Sequence, residues 1–299
     1  MYFPFISERS TKRQLYRRKG GGGKGGGSSG GGKSSGSSGT SGTAGRSSSV
    51  SSGGTSRSAT SYGAGGGKQV AIPAGQPFAG RLSGGGTRDQ VYGNQQYGSG
   101  YPGVAGRGVA GRGFPFVFWP LAWGGVAGVG TAAYLHTNEY GRPDNSSRPG
   151  GVMMTAAFPS SSGNTTFRVV SDNTTVTSLI QDIAANCSTV VKDSSSITPS
   201  AYNDSSPDPP KPEQSVQYYR ASSVSLTLDG YNNTGALGDD NTPDTPLPSN
   251  IDRNLLDCLN STIGDAVPLI DSGVSVGMLA SPSGVIGFAW VIWCLTSLV

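Results

Sequence analysis

The chain has 299 residues and a formal net charge of +4, yet only 34% of its residues are hydrophobic, 13% are charged and 49 are glycine. This composition argues against two full globular domains, because a glycine- and serine-rich stretch buries too little apolar surface to offset its loss of conformational entropy. Residues 1–113 hold 15 Lys and Arg against 2 acidic residues, whereas residues 114–299 hold 7 against 16. Such asymmetry is typical of a basic tail that meets nucleic acid or an anionic surface, or of two halves on opposite sides of a membrane.

Residues 1–113 are predicted to be a disordered, basic, Gly/Ser-rich tail. The run GGGGKGGGSSGGGKSSGSSG has the composition of a flexible linker. The first 19 residues lack the apolar run that a secretory signal peptide requires. Residues 27–34 match the pattern GxxxxGK[ST], but phosphate binding also needs a strand before that loop and a helix after it. We therefore expect no nucleotide site and no other cofactor.

An uncharged stretch, GFPFVFWPLAWGGVAGVGTAAYL, follows this tail. As a helix, the 22 residues at 114–135 would just cross a hydrocarbon core of roughly 30 Å, with Trp119 and Trp123 near its interfaces. Pro120 opposes a continuous helix, since proline interrupts the helical hydrogen bonds. Two interpretations stay open: a membrane span, or an apolar segment buried against the following domain.

Residues 136–283 are predicted to form a small α+β domain. Helical periodicity indicates two amphipathic helices, and short β-branched or alternating runs indicate strands. The predicted elements are strands at 152–158 and 165–170, a helix at 176–191, a strand through Val224, Leu226 and Leu228, and a helix at 250–263.

Two of the three cysteines, Cys187 and Cys258, lie on the apolar faces of these predicted helices. In a secretory compartment they would form a disulfide that joins the two helices. The alternative is two reduced thiols buried in the core.

Residues 284–299 form an apolar C-terminal tail, GVIGFAWVIWCLTSLV. Small residues around Ser272, a short spacer and this tail follow the order of a signal for glycosylphosphatidylinositol attachment, with Ser272 as the lipid attachment site. The alternative is an apolar C-terminal helix in the membrane. Both interpretations predict membrane association.

Sequons for N-glycosylation, Asn-x-Ser/Thr, all fall in the acidic half of the chain. If they are used, they place this half in the secretory lumen or outside the cell. The seven candidate asparagines are Asn145, Asn164, Asn173, Asn186, Asn203, Asn232 and Asn260.

Signals for enzymatic chemistry are nearly absent. His136 is the single histidine, so no cluster of histidine ligands for a metal can form. Asp239, Asp240 and Asn241 resemble the start of a calcium loop, but Pro243 occupies a ligand position. We therefore predict no catalytic, metal-binding or cofactor-binding residue and identify no small-molecule substrate.

Two segments carry a resemblance to a family: RGFPFVFWPLAWGG…YLHTNEYGRPDNSSRPGG and QYYRASSVSLTLDGYNNT. They resemble uncharacterised fungal proteins, mainly from mushroom-forming species, with an FPFxFWP segment and a YRASSVxLTLDGYNNT segment. The resemblance covers about residues 113–265 and implies a shared organisation: a basic Gly/Ser region, the aromatic–proline segment, a small cysteine-containing domain and often an apolar C-terminus. It implies no activity. Family members begin with a signal peptide, and the N-terminus here departs from them.

Together these features predict a membrane-associated cell-surface or secretory-pathway glycoprotein that is not an enzyme. The alternative is an intracellular nucleic-acid-associated protein of the RG type. In that case Arg107-Gly108, Arg112-Gly113 and the other basic residues of the tail would neutralise phosphates.

Overall fold

The computed structural model describes residues 46–52, 55–61, 69–75, 78–101, 103–104, 106–109, 118–123, 140–208, 210–239 and 241–267. The predicted small α+β domain is confirmed. It contains a five-stranded antiparallel sheet with two 14-residue helices on one face. The predicted apolar tail at 284–299 and Ser272 lie outside the described residues.

Short elements come first along the chain. Strands β1 (Arg46–Ser52) and β2 (Thr55–Ser61) pair with each other in antiparallel register. Strands β3 (Val70–Ala71) and β4 (Leu82–Ser83) form a second small ladder, and a single helical turn, α1 (Arg88–Val91), follows.

The main sheet is built from residues 153–228 in the strand order β7-β5-β6-β9-β8, and every neighbouring pair is antiparallel. Because side chains alternate across a strand, each strand contributes to both faces. The strands are β5 (Met153–Pro159), β6 (Thr166–Asp172), β7 (Ser200–Ala201), β8 (Ser215–Tyr219) and β9 (Val224–Leu228).

Helices α2 (Asn173–Asn186) and α3 (Arg253–Ala266) cover one face of this sheet. Their apolar stripes recur at helical spacing and pack with the strand residues into one core. That core includes Phe158, Phe167, Val169, Val176, Leu179, Ile183, Leu226, Leu255, Leu259 and Ile263, each at most 1% exposed.

Each of these helices is capped at its N-terminus by an aspartate that precedes its first residue. The carboxylate of Asp172 accepts a hydrogen bond from Thr175 N, and that of Asp252 accepts one from Leu255 N at 3.1 Å. The predicted helix at 176–191 therefore begins earlier, at Asn173. It ends at Asn186, before Val191 pairs with Ser160.

Asp252 should contribute measurably to stability as the cap of α3. Its carboxylate also accepts hydrogen bonds from the Ser160 hydroxyl (2.6 Å) and the Ser162 hydroxyl (3.0 Å), and the Ser160 bond is the main reason its pKa is lowered from 3.8. We expect Asp252→Ala to lower the free energy of unfolding by about 1 kcal/mol, as loss of a helix cap typically does. Chemical denaturation at pH 7 measures the effect.

The same carboxylate gives this loss a pH dependence. A lowered pKa means that the stabilisation is complete above the unfolded-state pKa and disappears as the pH falls through the lower pKa of the folded state. The difference between the parent chain and Asp252→Ala should therefore shrink when denaturation is repeated below about pH 4. A constant difference from pH 7 down to pH 2 would contradict this assignment.

A second core covers the opposite face of the sheet, and it comes largely from residues preceding the sheet, including those described between 69 and 109, which we call the N-terminal layer. The prediction that residues 1–113 form a disordered tail is wrong for those described between 69 and 109. Val91 and Val109 are fully buried there, and Tyr97 and Tyr101 are nearly so. A few aromatic and branched side chains thus bury enough apolar surface to pack against the sheet, although the average composition of these residues is rich in glycine.

The glycines of this layer permit close packing. Gly100 has φ +77°, and a Cβ at that position would lie 2.7 Å from the carbonyl oxygen of Tyr92. A residue with a side chain fits neither that backbone conformation nor that space. The glycines on which the prediction of disorder rests therefore form turns in the N-terminal layer.

Residues 118–123 settle the open question for their part of the uncharged stretch. They adopt a non-helical conformation and are all buried in the domain. Leu121 N donates to Ser222 O at 2.7 Å, and the Trp123 ring packs edge-on against Tyr202. These six residues form an apolar segment buried against the domain rather than part of a continuous helix. Residues 114–117 and 124–135 lie outside the described residues.

No helix in the described part of the chain combines the length and the apolar character needed to cross a membrane.

Candidate functional site

The predicted strand through Val224, Leu226 and Leu228 is confirmed as β9, and it is the second strand of a hairpin. Strand β8 ends at Tyr219, β9 begins at Val224, and the four residues 220–223 connect them. Three of these four have left-handed backbone conformations: Arg220 (φ 48°), Ala221 (φ 51°) and Ser222 (φ 64°). For residues other than glycine, such conformations cost on the order of 1–3 kcal/mol each. The chain holds 49 glycines but places none in this turn.

The N-terminal layer and the buried segment at 118–123 together hold this strained turn in place. Leu121 N donates to the carbonyl oxygen of Ser222 at 2.7 Å, and Gly98 N donates to the Ser222 hydroxyl. Arg220 N donates to the carbonyl oxygen of Val91. Residues far apart in sequence therefore impose a conformation that local preference disfavours.

The guanidinium of Arg220 is completely buried beneath the turn. Its Nε donates to the Ser223 hydroxyl at 2.7 Å, and its Nη2 donates to Thr175 Oγ1 at 3.3 Å. The Asp172 carboxylate lies 3.7 Å from Nη2, and the Phe118 ring stacks against the guanidinium with its centroid at 3.6 Å. Burial lowers the pKa of Arg220 to about 9, against the opposing effect of Asp172, so the side chain remains a cation at neutral pH.

Asp172 links this cation to helix α2. Oδ1 accepts from Thr175 N at 2.9 Å, and Oδ2 accepts from Thr175 Oγ1 at 2.7 Å and from Ser171 Oγ at 3.3 Å. Gly150 leaves the room that this carboxylate occupies, because a Cβ at position 150 would lie 1.9 Å from Oδ1. The carboxylate therefore caps the helix and neutralises a buried charge at the same time.

A second buried arginine ties the buried segment at 118–123 to the same region. Arg148 Nη2 donates to Pro120 O at 3.0 Å, and Nη1 donates to Tyr140 O. Burial lowers the pKa of Arg148, and the carboxylate of Asp172 opposes that shift. Asp172 thus interacts electrostatically with two buried arginines.

The two candidate cysteines form a disulfide in the structure. The sulfur atoms of Cys187 and Cys258 are 1.97 Å apart, and the bond joins the end of α2 to the middle of α3. Cys187 is fully buried, with its sulfur 3.3 Å from Thr262 Oγ1.

The candidate glycosylation sites differ in accessibility. Six of the seven asparagines have exposed side chains, and Asn260 is half-buried. Tyr219 donates its hydroxyl proton to Asn260 Oδ1, and Tyr92 donates to Asn260 O at 3.1 Å. The asparagines of six sequons are therefore exposed in the folded domain, while Asn260 is already engaged in packing.

The remaining candidates from the sequence concern metal binding and phosphate binding. Across the residues that the structure describes, no three His, Cys, Asp or Glu side chains group in a way that could hold a metal ion. Arg107, predicted to lie in a basic tail, is buried and donates to Gly235 O at 2.8 Å. Residues 27–34, His136, Asp240, Arg112 and Cys294 lie outside the described residues.

Sequence reasoning missed Asp172 and Arg220. An aspartate directly before an amphipathic helix is a recognised cap signal, so the stretch SDNTT could have revealed Asp172. Arg220 has no comparable signal, because arginine is almost never fully buried and its partners come from distant segments.

Comparison of the chain with protein-family models, with curated proteins and with solved structures finds no match.

Proposed function

We propose that this chain is a membrane-associated glycoprotein of the cell surface or secretory pathway, and that its folded part is a binding or structural domain rather than an enzyme. The observation that carries this proposal is the disulfide between Cys187 and Cys258. Structural disulfides form and persist in oxidising compartments and are rare in the cytosol.

The exposed sequons support the same compartment. Glycans are attached in the secretory lumen and occupy the protein surface. Asn145, Asn164, Asn173, Asn186, Asn203 and Asn232 all present exposed side chains on the disulfide-bonded domain. Oxidation and glycosylation would thus act on one polypeptide in one compartment.

Membrane association in this proposal rests on residues 284–299, with Ser272 as the lipid attachment site or the apolar tail as a membrane helix. The buried segment at 118–123 lends no support to a membrane role for that stretch, since its side chains already pack within the domain. The domain would then be presented at the membrane through the C-terminal end of the chain.

The alternative of an RG-type nucleic-acid-binding tail receives less support. Arg107 is 8% exposed and its guanidinium bonds to the carbonyl of Gly235, so it does not present its charge to phosphates. Phosphate binding relies on accessible Lys and Arg side chains.

The test is expression of the full chain in a fungal host with a tag at each end. We expect the protein to resist carbonate extraction and to lose mass on deglycosidase treatment. Loss of the C-terminal tag would support a lipid anchor, and its retention would support a membrane helix. A soluble protein without a deglycosidase shift would overturn the proposal and direct attention to RNA crosslinking.

Matched variants identify the modified residues. Asn232→Gln should remove the mass of one glycan, whereas Asn254→Gln, at an exposed asparagine outside any sequon, should remove none. Equal masses for Asn232→Gln and the parent after purification would show that this exposed sequon is not used.

A further inference from the structure

We propose that the chain cleaves its own backbone between Ser222 and Ser223, through attack of the Ser223 hydroxyl on the preceding carbonyl carbon. This single-turnover rearrangement goes beyond the proposed function and depends on neither glycans nor a membrane. It rests on the strained turn between β8 and β9 and on the groups that surround it.

The reaction has two steps. In the first, Ser223 Oγ bonds to the carbonyl carbon of Ser222, the bond from that carbon to Ser223 N breaks, and the hydroxyl proton moves to this nitrogen. The product is an ester with a free amine. In the second step, one water molecule hydrolyses the ester, giving one chain that ends at Ser222 and another that begins at Ser223.

The surroundings of the turn favour the first step. Negative charge develops on the carbonyl oxygen of Ser222, and the amide of Leu121 already donates to that oxygen at 2.7 Å. A preorganised backbone donor of this kind is how enzymes stabilise the same developing charge. The donor belongs to the buried segment at 118–123, which therefore has a direct part in the proposed chemistry.

Hydrogen bonds also reach the nucleophile and the leaving nitrogen. Arg220 Nε donates to Ser223 Oγ at 2.7 Å, and this cationic donor stabilises negative charge as the hydroxyl loses its proton. Ser223 N donates to Arg220 O at 3.2 Å, so this carbonyl is in place to accept from the amine that forms.

Backbone strain provides part of the driving force. Three successive residues before Ser223 have left-handed conformations, and none is glycine. Breaking the peptide bond releases the turn from the constraint that Val91, Gly98 and Leu121 impose on it. Such strain persists only where the surrounding structure enforces it, and it is concentrated at functional sites.

The cleaved halves would stay together. Strands β8 and β9 flank the cleaved bond and remain paired in the sheet. Cys187 belongs to the first half and Cys258 to the second, so their disulfide joins the halves covalently. Cleavage would therefore change the mobility of the protein only after reduction.

The experiment compares reduced and non-reduced samples of the purified full chain, incubated at neutral pH, by electrophoresis and intact-mass measurement. We expect one species without reductant and two with it, corresponding to residues before and after the Ser222–Ser223 bond. A parallel sample receives hydroxylamine, which cleaves esters. The sequence contains no Asn-Gly bond, the other common hydroxylamine-sensitive site.

Three variants separate chemistry from folding. Ser223→Ala removes the nucleophile and should abolish both fragments. Ala221→Gly keeps the turn but relieves strain, so it should slow fragment formation about tenfold, the equivalent of about 1.4 kcal/mol, while leaving the protein folded. Ser225→Ala removes a buried hydroxyl that bonds to Ser215 in the adjacent strand, and it should cleave like the parent.

The outcomes are decisive in both directions. Fragments with Ser223 at the new N-terminus, formed spontaneously or only with hydroxylamine, support the proposal, provided that Ala221→Gly slows their formation. An intact reduced chain under both conditions overturns it. So do fragments that persist in Ser223→Ala or form at the parent rate in Ala221→Gly, since these would indicate proteolysis by another protein.

Discussion

Replacing Asp172 with alanine is expected to lower the free energy of unfolding by about 3–5 kcal/mol, the range for breaking a buried ion pair from one side. The carboxylate is the charged partner of the fully buried Arg220 and also caps α2 through Thr175. Its loss leaves a buried cation uncompensated and a helix N-terminus uncapped. Denaturant titration with linear extrapolation measures the change.

Two companion variants show where this loss arises. Asp172→Asn keeps an oxygen for Thr175 N but removes the charge, so its loss should be smaller than that of Asp172→Ala. Combining Asp172→Ala with Arg220→Met should cost less than the sum of the single variants, because the buried cation of Arg220 is then no longer present to lose its partner. Strict additivity, or a loss below 1 kcal/mol for Asp172→Ala, would show that the pair does not stabilise the fold.

Removing the disulfide is expected to cost about 4 kcal/mol when both cysteines are changed to alanine. Cys187 and Cys258 are separated by 71 residues in sequence. A cross-link that closes a loop of that length lowers the conformational entropy of the unfolded chain, and this stabilises the folded state by about 4 kcal/mol. Alanine is preferred to serine because Cys187 is fully buried and a hydroxyl there would need a new partner.

Reduction provides the control for this pair of substitutions. The parent chain in excess reductant should unfold at the same denaturant concentration as the double variant, whereas reductant should not affect the double variant itself. A double variant that matches the oxidised parent would mean that the bond contributes little to folding stability.

Much of the fold could be predicted from the sequence because several elements carry strong local signals. The stripe through Val176, Leu179 and Ile183 and the one through Leu255 and Leu259 each match a helical period, so the sequence predicts both helices to within five residues of their observed ends. Because Cys187 and Cys258 lie on the apolar faces of these two predicted helices, the sequence offers a disulfide between them as one alternative and two buried thiols as the other.

The N-terminal layer could not be predicted, and the reason is physical. Its glycines lower the average hydrophobicity of residues 69–109, while a few well-spaced residues such as Val91 and Tyr97 supply its buried surface. Composition averages over a window and misses contacts that depend on individual side chains meeting a distant sheet. The partner surface for Tyr97 is Tyr218 in β8, 121 positions along the chain.

The strained turn was missed for a related reason. Nothing in the residues Arg-Ala-Ser-Ser favours left-handed conformations, and the alternation of Val224, Leu226 and Leu228 pointed only to a strand. The conformation is imposed by Val91, Gly98 and Leu121, which lie in segments predicted to be a disordered tail and an uncharged apolar stretch.

The position of residues 91–94 beside strand β8 also bears on how this protein would be handled. Tyr92 bridges to Tyr219, Tyr218 N donates to Asn94 O, and Gln217 Nε2 donates to Gly93 O. These contacts occupy the outer side of β8, which would otherwise be a free sheet edge able to recruit another chain. A truncation that discards the glycine-rich N-terminal third as dispensable would open this edge, and aggregation of the shortened protein would follow.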